Sequence, residues 1–149
     1  MKMYLVRIAL FLVFISCILL ATQASAEPLA VIVNKNNPVS DLSLLEIKMI
    51  YHDETTQWPG GEKIKVYDLS LKSKERAQFS EAVIGKSPDE VEAEWANKTI
   101  TNTAKNPPVT LKSKALVLYK VKKDKSAIGY VPISMIKGRL SIKKVAIVD

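Results

Sequence analysis

Short runs of apolar, β-branched residues alternate along this chain with longer segments of helical periodicity. Residues 29–35 (LAVIVNK) are apolar and β-branched over a length typical of a buried strand. Three further runs have the same character, at residues 63–69 (KIKVYDL), 127–132 (AIGYVP) and 140–148 (LSIKKVAIV). The pattern therefore predicts four strands, the third of which ends at a proline.

Helices are predicted between these strands, because capping residues precede the apolar periodicity. Ser43 and Glu46 form the sequence signature of a capping box at the start of the first helix. The second helix is predicted over residues 74–84 and ends before Gly85, a residue suited to the left-handed turn after a helix. Its predicted core face consists of Phe79, Ala82 and Val83.

Two more helices follow the second one without a predicted strand between them. Ser87, Pro88 and Glu90 mark the start of the third helix with a cap, a first-turn proline and a capping box. A loop with two consecutive prolines comes next, and Ser113 then caps the fourth helix. A short helical turn is expected within residues 133–138, before the last strand.

The order of these elements is typical of an α/β protein. No repeat, low-complexity tract or linker interrupts them, so residues 27–149 are predicted to form a single domain. Strands separated by helices favour a small, mostly parallel sheet with helices on both faces, a single three-layer lobe.

The first 26 residues have a different character and predict a secretory signal peptide. Lys2 and Arg7 precede an apolar run at residues 8–21, and the small-residue motif ASA ends at Ala26. Cleavage is expected after Ala26. A membrane anchor is disfavoured because the run is shorter than the ~20 residues that a span needs. A lipoprotein site at Cys17 is disfavoured because apolar sequence continues past this cysteine.

Removal of this segment changes both the cysteine count and the net charge. The chain has one cysteine, Cys17, so residues 27–149 can form neither a disulfide nor a thiolate site. Loss of Lys2 and Arg7 leaves 20 basic and 15 acidic residues, a net charge of +5. This balance suits small acidic ligands. Nucleic-acid binding is not expected, because the lysines are scattered and no aromatic platform lies among them.

The sequence offers no arrangement for catalysis or for metal binding. His52 is the only histidine, and its neighbours in the loop HDET cannot converge on one metal ion. The nucleophile motif GxSxG, a P-loop and a dinucleotide fingerprint are all absent from the sequence. We therefore predict a protein that is not an enzyme and that uses no metal or cofactor.

The segment DLSLKSKERAQF, residues 68–79, is the strongest candidate for a ligand site. It places Ser70, Ser73 and Arg76, together with two lysines, around the start of the second predicted helix. Free N–H groups at a helix start, hydroxyls and cations can bind an oxyanion. The alternatives are that Ser73 only caps the helix and that Arg76 is a solvated surface residue or pairs with neighbours of Glu75.

Asn34 and Tyr130 are weaker candidates for the same site. Asn34 ends the first strand, and ligands of open α/β sheets lie at the carboxyl ends of the strands. Turn chemistry is the alternative role for Asn34. Tyr130 either points its hydroxyl into a cleft or packs in the core. Gly129, its neighbour, could allow a close approach by a ligand or another part of the chain.

Three sequence features together resemble a known family. They are the LSLLEIKMI helix followed by Trp58, the set Arg76, Phe79, Val83 and Gly85, and the strand AIGYV. In this order and spacing the chain resembles the type II periplasmic solute-binding proteins. It is most similar to short, single-domain relatives of the phosphate-binding subunit of ABC transporters. The resemblance covers residues 29–131.

The resemblance carries expectations about location, ligand and partner. Members of this family are periplasmic, bind their ligand between two α/β lobes and work with a membrane transporter. They hold phosphate with helix-start N–H groups, hydroxyls and an arginine. By resemblance, Ser70, Ser73 and Arg76 are the expected contacts of phosphate or a similar oxyanion.

Two departures from the family keep a second function open. The turn of full-length phosphate binders carries Ser-Gly-Thr, whereas residues 71–74 here read LKSK. The chain also has the length of one lobe rather than two. The alternative is an envelope interaction or sensory module that derives from one binding-protein lobe and has lost its ligand.

Overall fold

The computed structural model describes residues 26–149, so Cys17 and nearly all of the predicted signal peptide lie outside the described residues. The elements in chain order are β1 (Leu29–Asn34), α1 (Leu44–Tyr51), β2 (Lys65–Leu69), α2 (Lys74–Phe79), a π-helical turn (Ser80–Ile84), α3 (Pro88–Ile100), β3 (Val109–Leu111), α4 (Lys114–Lys123), β4 (Ala127–Pro132), a 3-10 helix (Ile133–Ile136) and β5 (Ile142–Val148). Within this part of the chain, no helix is both long enough and apolar enough to cross a membrane.

The five strands form one mixed sheet in the order β3-β2-β4-β1-β5. β2 pairs in parallel with β3 and β4, whereas β1 pairs antiparallel with β4 and β5. The α/β class is confirmed. The mostly parallel pairing is not confirmed, because half of the strand pairs are antiparallel. We call the side of the sheet where β2, β3 and β4 end the carboxyl edge.

β3 is a strand that the sequence pattern did not predict. It has three residues, lies just after Pro107 and Pro108, and pairs Leu111 with Leu69 of β2. Two of its three residues are exposed, so it carries no apolar run. The sequence pattern predicted a loop here, because the segment becomes a strand only through its pairing with β2.

The core fills both faces of the sheet. On one face, Gly129 of β4 lies against Val117 of α4. On the other face, the rings of Phe79 and Tyr130 stack with centroids 4.0 Å apart, and Tyr51 packs beside them at 4.7 Å from Phe79. Consecutive residues of a strand point to opposite faces, which places Gly129 and Tyr130 in different parts of the core.

The predicted helix starts are confirmed in detail. Ser43 with Glu46 and Ser87 with Glu90 form complete capping boxes, and Ser113 caps α4. Gly85 adopts the left-handed conformation that was expected after the second helix, with φ of 81°.

The second helix differs from its prediction in its last turn. Residues Ser80–Ile84 are π-helical, which widens the turn and rotates the residues that follow. Phe79 and Val83 are buried as predicted, whereas Ala82 is exposed. The predicted core position of Ala82 is therefore wrong, because it assumed a regular α-helical period.

Candidate functional site

Ser70 and Ser73 shape the turn between β2 and α2. The Ser73 hydroxyl caps α2 by accepting a hydrogen bond from the Arg76 N–H at 3.3 Å. The Ser73 N–H donates to the Ser70 carbonyl at 2.9 Å, and the Lys72 N–H donates to the Ser70 hydroxyl at 3.4 Å. The capping role that was the alternative for Ser73 is therefore present.

A carboxylate lies at the start of α2. The Glu75 carboxylate accepts hydrogen bonds from the Ser73 hydroxyl at 2.7 Å and from the Lys114 ammonium at 2.6 Å. Burial of the Glu75 carboxyl raises its pKa, but the hydrogen bonds from Lys114 and Ser73 outweigh burial. The pKa of Glu75 therefore lies below its ordinary value, and the group is charged at neutral pH.

The Glu75–Lys114 pair is a feature that the sequence analysis missed. Lys114 is the first residue of α4 and lies 39 positions after Glu75. The two meet because β2 and β3 are parallel neighbours, so the helices that follow them both start at the carboxyl edge. β3 was not predicted, so nothing in the sequence pattern indicated this meeting.

Arg76 lies beneath this edge and not on the surface. Its side chain is 3% exposed and forms an ion pair with the buried carboxylate of Asp68. Its guanidinium also donates to the Leu69 carbonyl at 3.4 Å. The carboxylate of Glu92 in α3 lies 4.0 Å from the Arg76 guanidinium, and the Glu92 side chain is 55% exposed. The alternative of a solvated surface arginine is therefore wrong.

Tyr130 completes a buried polar network around Asp68. The Tyr130 hydroxyl and the Leu69 N–H both donate to one oxygen of the Asp68 carboxylate, whose other oxygen faces Arg76. Burial raises the pKa of Tyr130, so this hydroxyl remains protonated and can donate. Tyr130 therefore has the packed role that was its alternative, with its hydroxyl directed at Asp68.

Asn34 lies at the opposite edge of the sheet from Ser70 and Ser73. β1 runs antiparallel to β4, so the carboxyl end of β1 lies beside the start of β4. The Asn34 amide donates to the carbonyls of Val121 and Lys122 at 2.9 and 2.8 Å, and its oxygen accepts from the Asn36 N–H. The expected place of Asn34 near the candidate site is a wrong prediction that followed from the assumed parallel sheet.

Replacement of Asn34 by alanine should lower the free energy of unfolding by about 1–3 kcal/mol. The variant leaves two carbonyls near the end of α4 without their buried donor. Urea unfolding of residues 27–149, followed by circular dichroism, measures the loss. Asn36→Ala is the control, because Asn36 is exposed and uses only its backbone in this turn. Equal losses in the two variants would contradict the assigned role.

Two clefts flank α2. A cleft of about 440 Å³ at the carboxyl edge is lined by charged and polar residues that include Glu27, Lys74, Glu75 and Lys114. Another of about 400 Å³ lies between α3 and β3, and Arg76 lines this one. Glu75 and Arg76 thus face different spaces. Within residues 26–149, no group of three histidine, aspartate or glutamate side chains is placed to hold a metal ion.

Comparison with solved structures identifies proteins that are similar in fold to this chain. No protein-family model matches the chain, and no curated protein is significantly similar in sequence. Among solved structures, a phosphate ABC transporter substrate-binding protein from Clostridium perfringens, crystallised with bound phosphate, is 27% identical with a TM-score of 0.63. An ABC-type phosphate transport receptor from Vibrio cholerae is 21% identical with a TM-score of 0.62. PstS from Borrelia burgdorferi is 16% identical with a TM-score of 0.61.

These matches cover most of this chain but less than half of each neighbour. Each covers 80% of this chain, but only 44%, 45% and 47% of the respective neighbour. The chain thus spans less than half the length of the proteins it matches. Over that part, it is similar in fold to the phosphate ABC transporter substrate-binding proteins, as its sequence motifs predicted.

Proposed function

We propose that this chain is an exported, periplasmic, non-enzymatic module that binds phosphate or a similar oxyanion at the carboxyl edge of its sheet. One observation carries the proposal. A hydroxyl from Ser73 and an ammonium from Lys114 converge on a carboxylate at the start of α2. The similar protein from Clostridium perfringens, which shares this fold, was crystallised with phosphate. That protein is a substrate-binding protein, which also favours a role outside catalysis for this chain.

The internal carboxylate marks a position that stabilises negative charge. Phosphate oxygens accept the same hydrogen bonds as a carboxylate, from hydroxyls, ammonium groups and helix-start N–H groups. A free oxyanion would take the position of the Glu75 carboxylate after that side chain turns toward solvent. Lys74 lines the same cleft and would add a second cation. Because the ligand competes with an internal group, affinity in the micromolar to millimolar range is expected.

The remaining predicted residues have different roles in this proposal. Ser70 and Ser73 are contacts from the turn before α2. We propose no direct ligand contact for Arg76, because Asp68 neutralises its guanidinium beneath the turn and Arg76 lines a different cleft. We propose no ligand contact for Asn34 or Tyr130, because the polar atoms of both side chains bind groups of the protein itself. A membrane transporter is the proposed partner.

Glu75→Gln should bind phosphate about tenfold more tightly than the unaltered chain. The substitution keeps the shape of the side chain but removes a negative charge next to the proposed anion. At an effective dielectric near that of a protein surface, such a charge costs on the order of 1 kcal/mol or more. Calorimetric titration of residues 27–149 with phosphate, and separately with sulfate, measures the affinities.

Glu81→Gln is the matched control for this experiment. Glu81 is an exposed glutamate in the π-helical turn that continues α2, away from the Ser73–Lys114 contacts. It should leave phosphate affinity within twofold. If both the unaltered chain and Glu75→Gln give no heat and no thermal shift at millimolar anion, oxyanion binding is rejected.

The second candidate function is a ligand-free envelope interaction or sensory module. The observation in its favour is that internal acidic residues already satisfy the predicted site. Asp68 pairs with Arg76, and Glu75 binds both Ser73 and Lys114. This function is supported by a stable protein partner in a pull-down together with no response of Glu75→Gln to any anion.

A further inference from the structure

The charges of this chain are strongly segregated along the sequence. Residues 27–110 contain 10 basic and 13 acidic residues. Residues 111–149 contain 10 basic residues and only two acidic ones, Asp124 and Asp149. Nine of these 10 basic residues are lysines. Residues 111–149 therefore carry a net charge of +8, whereas residues 27–110 carry −3.

The fold brings part of this basic segment together around one surface groove. Helix α4 and the segment from the 3-10 helix to the first residue of β5 enclose a volume of about 570 Å³. We call this the basic groove and define it by six of its lining residues: Leu118, Tyr119, Lys122, Met135, Arg139 and Leu140. No acidic side chain is among the described residues that line it.

The cations of the basic groove have no acidic partners. Among residues 26–149, neither Lys122 nor Arg139 forms a salt bridge, and the Arg139 guanidinium donates only to the Met135 carbonyl. Asp124, at the end of α4, is already paired with Lys65. The positive charge of the groove is therefore available to an external anion.

Large apolar side chains stand beside these cations. Leu140 is 89% exposed and lies next to Arg139 in the loop before β5. Tyr119, on the facing side of the groove, is 56% exposed. Exposed apolar groups that are surrounded by polar residues mark interaction surfaces.

We propose that the basic groove, together with the lysine-rich segment 111–149 that forms it, is a docking surface for an anionic phospholipid bilayer. Cations attract the lipid phosphates, and Leu140 and Tyr119 enter the boundary between head groups and acyl chains. Lysine ammonium groups are mobile point charges, which suits a diffuse anionic surface better than the fixed geometry of an acidic protein. Leu140, at the tip of a loop, can insert without unfolding any strand or helix.

Binding to vesicles tests this proposal with residues 27–149, which contain every described strand and helix and all of the core. Sedimentation should show binding to phosphatidylglycerol vesicles at low salt, at least tenfold stronger than to phosphatidylcholine vesicles. Lys122→Gln with Arg139→Gln should weaken binding about 25-fold, because each cation near an anionic surface contributes about fivefold. Leu140→Ser should weaken it roughly fivefold.

Matched controls separate this surface from general charge and general hydrophobicity. Lys48→Gln with Lys105→Gln removes two cations from the acidic part of the chain. Ile100→Ser removes an apolar side chain that is 84% exposed at the end of α3. Both should change binding less than twofold. Thermal unfolding verifies that every variant is folded.

The proposal is overturned if both lipids bind equally, if neither binds, or if the control variants lose as much as the groove variants. Absence of vesicle binding together with a saturable complex with an acidic protein would assign the groove to that protein. The test does not depend on phosphate binding, because Glu75→Gln and the groove variants alter different sites.

Discussion

Replacing Asp68 by asparagine should lower the free energy of unfolding of this protein by about 3–5 kcal/mol. Asp68 and Arg76 are 5% and 3% exposed, so the guanidinium depends on this carboxylate for its counter-charge. The variant leaves a buried cation without an opposite charge. It also weakens the hydrogen bond that the Tyr130 hydroxyl donates to the carboxylate. Urea unfolding at neutral pH measures the loss.

The expected loss is specific to the buried position. Asp41→Asn removes the same charge at an exposed site and should change the free energy of unfolding by less than about 0.5 kcal/mol. Glu92→Gln, which alters the more distant and exposed acidic neighbour of Arg76, should cost less than about 1 kcal/mol. A loss for Asp68→Asn no larger than that for Asp41→Asn would show that Arg76 does not depend on Asp68.

A double-mutant cycle distinguishes the ion pair from general damage to the core. Arg76→Gln alone leaves the Asp68 carboxylate with only its Tyr130 and Leu69 donors. When Asp68→Asn is combined with Arg76→Gln, both charges are absent, so no buried charge is left unpaired. We expect the double variant to lose at least 1 kcal/mol less than the two single losses combined, because contacting residues are not additive.

Local chemistry predicted the parts of this fold that depend on neighbours in sequence. Ser43 with Glu46 and Ser87 with Glu90 are three residues apart, and both pairs form the expected caps. The apolar runs predicted the longer strands for the same reason, since burial on both faces of a sheet leaves a continuous hydrophobic signature. In each case, a few residues that are close together in the sequence were sufficient to predict the element.

Features that depend on strand order were beyond the sequence pattern. β3 is a strand only because it pairs with β2, and Asn34 lies at the far edge only because β1 is antiparallel to β4. Both wrong predictions, the missed strand β3 and the place of Asn34, concern how strands pair in the sheet. The direction of a strand cannot be read from its hydrophobic run, because parallel and antiparallel pairs can bury the same side chains.

The side-chain contacts at the candidate site were not predicted from the sequence. Ser73 and Arg76 are only three residues apart in the sequence. In the structure, the Ser73 hydroxyl binds Glu75, whereas the Arg76 guanidinium pairs with Asp68. A charged residue near a helix start can face solvent, a ligand or another side chain. Only the packing of α2 against β2 selects between them. Oxyanion binding at the start of this helix stays a prediction, and the structure shows that the internal carboxylate of Glu75 binds Ser73 and Lys114 there.

The close approach expected at Gly129 has a definite partner in the structure. A Cβ atom placed on Gly129 would lie 2.5 Å from Cγ1 of Val117, a side chain of α4 that is 1% exposed. The neighbour that Gly129 admits is therefore the helix α4 and not a ligand. Such an overlap forces a shift of α4 or an unfavourable rotamer of Val117.

Gly129→Ala should therefore lower the free energy of unfolding by about 1–3 kcal/mol. The loss should appear in urea unfolding with an unchanged denaturant slope, because the fold remains the same. Val117→Ala creates the space that the new methyl group needs. The variant that carries both substitutions should be more stable than the sum of the single losses predicts, by at least about 1 kcal/mol.

This rescue is the decisive part of the experiment, because glycine in a strand is unfavourable by itself. Alanine fixes the backbone better than glycine by roughly 0.5–1 kcal/mol, so without the contact Gly129→Ala would be stabilising. A stabilised Gly129→Ala variant, or strictly additive losses with Val117→Ala, would mean that α4 does not rest on Gly129. A destabilised single variant with a rescued double variant would instead show that the absence of a side chain at Gly129 sets how closely α4 packs on the sheet.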